Sequence, residues 1–350
     1  MTLTSASRFR RFAFWMSIST GVLAGCGGSP PPIGEAGATP QSSVIVAAPE
    51  SHRVPANLYV SNSGNNTITV YRGLGKTPVR TISQGLDLAV FSYLALDKSG
   101  HVYCANYEAN TVTVYAKKKI VRTIADGVDG PRALAFDGSG NLYVANENSG
   151  TVTVYAPGGI SPLRTISDGV ATPTTLAFDR SGNLYVGNAS YPYSTVTIYA
   201  AGSGSVLRTL SSDLDGPNAL AFDHKGDLYV LNWSGQDVTV FASGSSSVER
   251  VISRGIAGPT RMAFDRSGNL YVVNQPANTV TVYGGLHMAF RRAITEGVND
   301  PYWLAFDPIG NLYIGNQGNN TITVYASGEG NVLETISKGV DVPAALTFAR

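Results

Sequence analysis

The stretch Asn141 to Gly182 reads N-L-Y-V-A-N-E-N-S-G-T-V-T-V-Y-A-P-G-G-I-S-P-L-R-T-I-S-D-G-V-A-T-P-T-T-L-A-F-D-R-S-G. Its opening phrase returns as N-L-Y-V at Asn57, H-V-Y-C at His101, N-L-Y-V at Asn183, D-L-Y-V at Asp227, N-L-Y-V at Asn269 and N-L-Y-I at Asn311. The seven copies are spaced by 44, 40, 42, 44, 42 and 42 residues. A fixed period of this length marks a repeat architecture. The length of 350 residues suggests two domains as a prior, and the repeat overrules it, because one repeated unit builds one closed domain.

Each unit holds four strand candidates. In the quoted copy they are Leu142 to Asn146, Thr151 to Tyr155, Leu163 to Ile166 and Thr174 to Phe178. Val152 and Val154 alternate with Thr151, Thr153 and Tyr155, the period of two that a sheet requires. No segment keeps a helical period over ten residues, so almost no helix is expected. The turn D-x-S-G-N at Asp179 to Asn183 joins the fourth strand to the next opening strand. Asp bonds its own backbone two residues on and Gly supplies positive φ, which is hairpin chemistry.

Four antiparallel strands in seven copies predict an all-β chain folded as a seven-bladed β-propeller. The first copy lacks the L-A-F-D strand, and Leu346 to Phe348 supplies it from the far end. The C-terminal strand is therefore expected to pair with the first blade and close the ring, leaving no long open edge. A monomeric propeller spanning 57–350 follows, with a six-bladed or open array as the alternative.

The remaining residues form an address and a tether. Arg8, Arg10 and Arg11 precede an apolar run from Phe12 to Gly25 that is short for a membrane span. It ends in L-A-G-C, Leu23 to Cys26. This resembles the lipobox of bacterial lipoproteins. The resemblance implies a signal peptide over 1–25, lipidation of Cys26, and an anchored, extracytoplasmic protein. Gly27 after the cysteine implies the outer membrane in a two-membrane cell. An ordinary export signal with a chance cysteine is the alternative. Residues 26–56, with Pro30-Pro31-Pro32, read as a flexible tether, in which 43–48 could add an edge strand.

The phrases Y-V-A-N at Tyr143, N-T-V-T-V-Y at Asn110 and Asn278, and G-N-L-Y-V at Gly182 resemble YVTN-type and NHL-type propeller repeats of bacterial surface proteins. That resemblance covers Asn57 to Arg350. Propellers of this class include binding scaffolds, lactonases and lyases, so it implies fold far more sharply than activity.

Residues present once per blade read as scaffold. These are the Asn after Y-V-x (Asn62, Asn106, Asn146, Asn188, Asn232, Asn274, Asn316) and the turn aspartates from Asp97 to Asp307. The outer-strand arginines Arg80, Arg122, Arg164, Arg208, Arg250 and Arg292, with Glu334 in the last copy, are expected to lie along the sheet with heads in water. Function is expected where loops break the repeat, at the mouth formed by the inter-blade loops and the loops after each Asn. There Tyr93, Tyr107, Tyr191, Tyr193, Trp233, Tyr302 and Trp303 share one face with Arg132 and Arg261. Aromatic platforms with a few polar groups suit a protein or glycan partner. A flat or shallow mouth without converging polar groups would support binding without catalysis.

Catalytic signatures are missing. The four histidines, His52, His101, His224 and His287, have no metal-ligand spacing, and no G-x-S-x-G, C-x-x-C or P-loop occurs. Cys104 replaces a Val of the repeat and reads as a small core residue. No catalytic residue, metal or cofactor is assigned. A net charge of +1 with both signs scattered argues against nucleic acid. The expected function is a lipid-anchored binding module. A lactonase or lyase with a site in the channel mouth, and an architectural envelope component, are the alternatives. Propeller lactonases gather acids and Asn around a channel metal. Here the acids near the mouth, among them Glu108, Glu147, Asp215 and Asp237, have no spacing that demands such a cluster.

Overall fold

The computed structural model describes 56–88, 93–328 and 330–349. The signal sequence, Cys26, the tether and the possible strand at 43–48 lie outside the described residues. Those residues form 28 strands and no helix. The strands make seven sheets of four, each antiparallel and each ordered from the axis outward.

Blade III shows the plan. Pro131–Phe136 lies on the axis, followed outward by Leu142–Asn146, Thr151–Tyr155 and Pro162–Ile166. Blades IV to VII begin on Pro173–Phe178, Pro217–Phe222, Pro259–Phe264 and Pro301–Phe306. Blade II begins on Leu94–Leu96, the one short inner strand. Blade I takes its inner strand from the far end of the repeat: Pro343–Phe348 pairs with Asn57–Asn62, with Leu346 opposite Val60. Each inner strand also packs against its two neighbours around the ring.

Burial follows position in the blade. The second strand, such as Leu142–Asn146, is buried throughout because neighbouring blades cover both of its faces. The outermost strand alternates exposed and half-buried residues, as in Pro162–Ile166. The seams between blades are built from one recurring pair. The Tyr of each second strand meets the inner-strand Phe of the next blade edge-on: Tyr143–Phe178 at 5.0 Å, Tyr271–Phe306 at 5.1 Å, and Tyr313–Phe348 at 4.9 Å across the closing seam. Edge-to-face rings add about 0.5–1.5 kcal/mol beyond area burial. Only the seam between blades I and II lacks the pair, since Leu96 stands where the Phe recurs.

The repeated Asn is a pin, as expected from its presence in every copy. Asn146 Nδ2 donates to Thr153 Oγ1 at 2.8 Å and Thr151 Oγ1 at 3.1 Å, while its Oδ1 accepts from the Asp129 amide of the inter-blade loop at 3.1 Å. The turn Asp works alike in blades II to VII, while blade I carries Ala349 at that place. Asp179 Oδ1 accepts from the Ser181 and Asn183 amides at 2.9 Å, and Oδ2 accepts from Asn183 Nδ2 at 2.8 Å. Gly182 closes that turn at φ +80°, a conformation L side chains rarely adopt. In blade II, His101 Nδ1 takes the place of the Asn amide, 2.8 Å from Asp97 Oδ2.

The outer arginines depart from expectation. Their heads do not simply face water; each reaches a backbone carbonyl on the next blade. Arg80 donates to Lys117, Arg122 to Gly158, Arg164 to Gly202, Arg208 to Gly244, Arg250 to Leu286 and Arg292 to Gly328. Arg122 and Arg164 also donate to the hydroxyls of Tyr103 and Tyr143. At the closing seam the pattern inverts. Glu334 of blade VII pairs with Lys76 of blade I, on the matching hairpin, at 2.8 Å.

Candidate functional site

Five inner strands, those of blades III to VII, begin on Pro, earlier than the Leu at which the repeat pattern turns apolar. Blade I does the same at Pro343. A proline suits the first residue of a strand on the open axis, where no ladder amide is needed. The residue after it is a bulge: Pro259 faces Asn274 and Arg261 faces Val273, leaving Thr260 over. Bulges re-aim side chains and gather beside functional sites. Arg132, Thr174, Asn218, Thr260, Tyr302 and Ala344 occupy the bulge in blades III to VII and I.

Three of them knit the mouth. Thr174 Oγ1 donates to the Pro217 carbonyl, Asn218 Nδ2 to the Thr260 carbonyl at 2.9 Å, and Thr260 Oγ1 to the Tyr302 carbonyl at 3.0 Å. Blades IV to VII are thereby linked in sequence around the axis. Blade I carries the small pair Ala344 and Ala345, both fully buried. Over that blade, Trp303 of blade VII meets Tyr93, which leads into blade II, edge-on at 5.3 Å.

Arg261 lies among these rings. Its guanidinium carbon is 4.2 Å from the Trp303 ring centre and 5.4 Å from that of Tyr302. Nη1 donates to the Thr260 carbonyl at 2.7 Å, and Nε is buried without a partner. Burial pulls the Arg261 pKa below its ordinary value. Burial likewise pushes the Tyr93 phenol up, with the Arg261 charge partly opposing it. Arg261 and Trp303 line a cavity of about 1260 Å³ that runs along the axis between the inner strands. The mouth is therefore deep, not shallow, because inner strands bearing Leu, Ala and Thr do not fill the centre of a seven-membered ring.

The structure divides the sequence-chosen residues into three groups. Tyr93, Arg261, Tyr302 and Trp303 come together; Tyr302 and Trp303 are core residues, 6% and 8% exposed, rather than open platforms. A second group forms on blades II and III. Arg132 pairs with Glu147 at 2.9 Å, and Tyr107 donates to Asn148 at 3.2 Å. Burial, then the Glu147 charge, push the Tyr107 phenol up to about 12. Tyr191, Tyr193 and Trp233 make the third group, on the loops after Asn188 and Asn232 of blades IV and V, and they are 67%, 81% and 57% exposed. Beside Trp233, Asp237 accepts from Asn232 Nδ2 at 2.7 Å, and burial raises its pKa.

Thr174, Asn218 and Thr260 were not among the sequence-chosen residues. Their signal was present as the variable position directly after a repeated Pro. Among the described residues, no three His, Cys, Asp or Glu side chains stand in an arrangement that could hold a metal ion. Cys104 is fully buried, and burial pushes its thiol pKa far up, so it serves as a core residue.

No protein-family profile and no curated protein sequence matches this chain. Its fold is similar to solved structures. One is a proposed 6-phosphogluconolactonase from Bacteroides uniformis ATCC 8492, 17% identical, with a TM-score of 0.68 over 85% of this chain and 100% of that one. Another is a functionally unknown protein from Desulfotomaculum acetoxidans DSM 771, 14% identical, TM-score 0.69, over 85% and 99%. A third is a proposed 6-phosphogluconolactonase from Bacteroides fragilis NCTC 9343, 17% identical, TM-score 0.64, over 87% and 100%. At these identities the likeness shows the seven-bladed propeller fold alone.

Proposed function

We propose that this chain is a binding propeller of a bacterial cell envelope, held by lipid on Cys26 and taking a protein or glycan partner through its axial mouth. The observation that carries the reading is the set of exposed rings Tyr191, Tyr193 and Trp233 on adjacent blades. They stand at the end of the ring where Arg261 and Trp303 line the axial cavity. Exposed aromatic side chains grouped on one face mark interaction surfaces. The depth of the cavity favours a partner that inserts a group over one that rests on a flat face. The resemblance of the repeats to YVTN-type phrases, the lipobox-like L-A-G-C and the tether-like composition of 26–56 support display away from the cytoplasm.

The test uses the full lipidated chain extracted in mild detergent. Cys26→Ser is expected to abolish incorporation of a palmitate analogue and release the protein from membranes. A co-purifying partner should persist with Ile309→Ser, at an exposed turn on the opposite end, and be lost with Trp233→Ala combined with Tyr193→Ala. Equal capture by both variants would overturn the mouth as the binding face.

A second reading is hydrolysis of a sugar lactone, favoured by the fold likeness to two proposed 6-phosphogluconolactonases. It requires turnover of 6-phosphogluconolactone above the spontaneous rate, with and without added divalent metal.

A further inference from the structure

Seven arginines are accounted for by contacts within the fold itself. Six stitch one blade to the next, and Arg132 has Glu147. Arg261 is different. No ion pair among the described residues includes it, and its hydrogen bonds run to its immediate neighbours, the Thr260 carbonyl and the Tyr302 side chain. The side chain is half-buried, and a cation partly withdrawn from water without a counter-charge carries an uncompensated desolvation cost. Nothing in blade geometry requires the charge, because the matching positions elsewhere are Ala133, Thr175, Ala219, Trp303 and Ala345.

The guanidinium is also prepared for a particular kind of partner. Trp303 and Tyr302 lie against it, a contact by which aromatic faces hold an arginine plane. A guanidinium held by its faces offers its donors at the edge. Two parallel N–H groups match a carboxylate and form the strong bidentate pair. Among the residues lining the cavity, Leu176, Leu220, Met262 and Leu304 from successive blades supply an apolar band, with polar groups such as Thr175, Asn218 and Asp223 elsewhere on the wall. We propose that Arg261 anchors a carboxylate borne on an apolar stem, inserted along the propeller axis. This rests on the mouth-binding reading and names the group that enters. The chemistry has two natural sources, a free aliphatic carboxylic acid and the C-terminal end of a protein chain.

The test is calorimetric, on the full chain in mild detergent, with four probes. Octanoate and octanol share the stem and differ in charge. A short peptide ending in Leu, with a free or an amidated C-terminus, presents the same contrast on a chain end. Octanoate or the free-ended peptide should bind about 10- to 100-fold more tightly than its uncharged counterpart. Whichever acid wins identifies the source. Arg261→Gln should bring the acid down to the affinity of the neutral probe, and Arg261→Lys, which keeps charge and loses the fork, should fall between. Circular dichroism of both variants confirms the fold. Equal binding of acid and neutral probes, or undiminished acid binding by Arg261→Gln, would overturn the carboxylate proposal while leaving the mouth as a binding site. Failure of all four probes would overturn the proposal at the cavity itself. Partner capture lost in the Trp233→Ala/Tyr193→Ala variant would then still uphold the mouth.

Discussion

The two ends of the propeller axis are built from the same strands and obey opposite rules. At the turn end, blades II to VII repeat one device, an Asp that accepts the backbone amide four residues on and, in every one of these but blade V, the side chain there as well. Even His101 conforms, by offering Nδ1 where other blades offer an Asn amide. At the mouth, the bulged residue after Pro is Arg, Thr, Asn, Thr, Tyr and Ala in turn, and the bonds it makes run to different neighbours. A residue that every blade needs is repeated. A residue that the ring needs once is free to differ, and position-specific chemistry collects there.

Trp303 is where that division is weakest, because it belongs to the mouth and to the core together. Trp303→Ala is expected to cost about 3–5 kcal/mol, the range for deleting a buried Trp or Phe. Urea unfolding would show it as a lower midpoint at unchanged slope. A cost under about 1 kcal/mol, as at a surface site, would mean the mouth rings are decoration.

The next comparison sets one residue from each end side by side. Asp179→Ala removes the acceptor for two amides and for the Asn183 side chain, and should cost about 1–3 kcal/mol. Asn218→Ala removes one bond to the Thr260 carbonyl and should cost about 0.5–1.5 kcal/mol. Reversal of that order in thermal unfolding would mean that the repeated turn bonds stabilise a blade no more than the single bonds at the mouth.

The smallest effect belongs to the outer rim, where the repeat breaks once. Hydrogen bonding to Lys76 and to the Thr335 amide holds the Glu334 carboxyl below its ordinary pKa. A carboxyl depressed by folding contributes stability above its unfolded pKa, about 4.3 for Glu, and loses it as pH falls through the lower folded value. Glu334→Gln should therefore lower the melting temperature slightly at neutral pH, with the difference from the parent protein fading as pH falls through the folded value. The pair is at the surface, so added salt should shrink the difference.

Much of this was legible in the linear chain. The period, the four strands and the completion of blade I by Leu346 to Phe348 follow from spacing and alternation alone. The repeated Asn and Asp announced themselves by recurring. What stayed hidden depended on distance across the ring. Arg164 reaches a carbonyl 38 positions away, and nothing local in the sequence points to it. The break at Glu334 was visible, yet its partner Lys76 lies near the start of the repeat. Tyr302 and Trp303 read as exposed because they follow a loop proline; Trp303 is buried where the small side chains of Ala344 and Ala345 leave it room to meet Tyr93. The bulge was masked by the proline itself, which reads as a loop end.

Blade I is begun first and finished last. Three of its strands leave the ribosome at the outset, yet the fourth waits for Pro343–Phe348. Asn62 receives the Asp341 amide only when residues 279 positions apart meet. Until then the nascent chain carries an unpaired strand edge, Asn57–Asn62, through the synthesis of every other blade. Contacts of such high order are slow to form, and open edges invite wrong partners meanwhile. A chain truncated before Pro343 is therefore expected to be lost to aggregation, rather than to survive as a propeller one strand short.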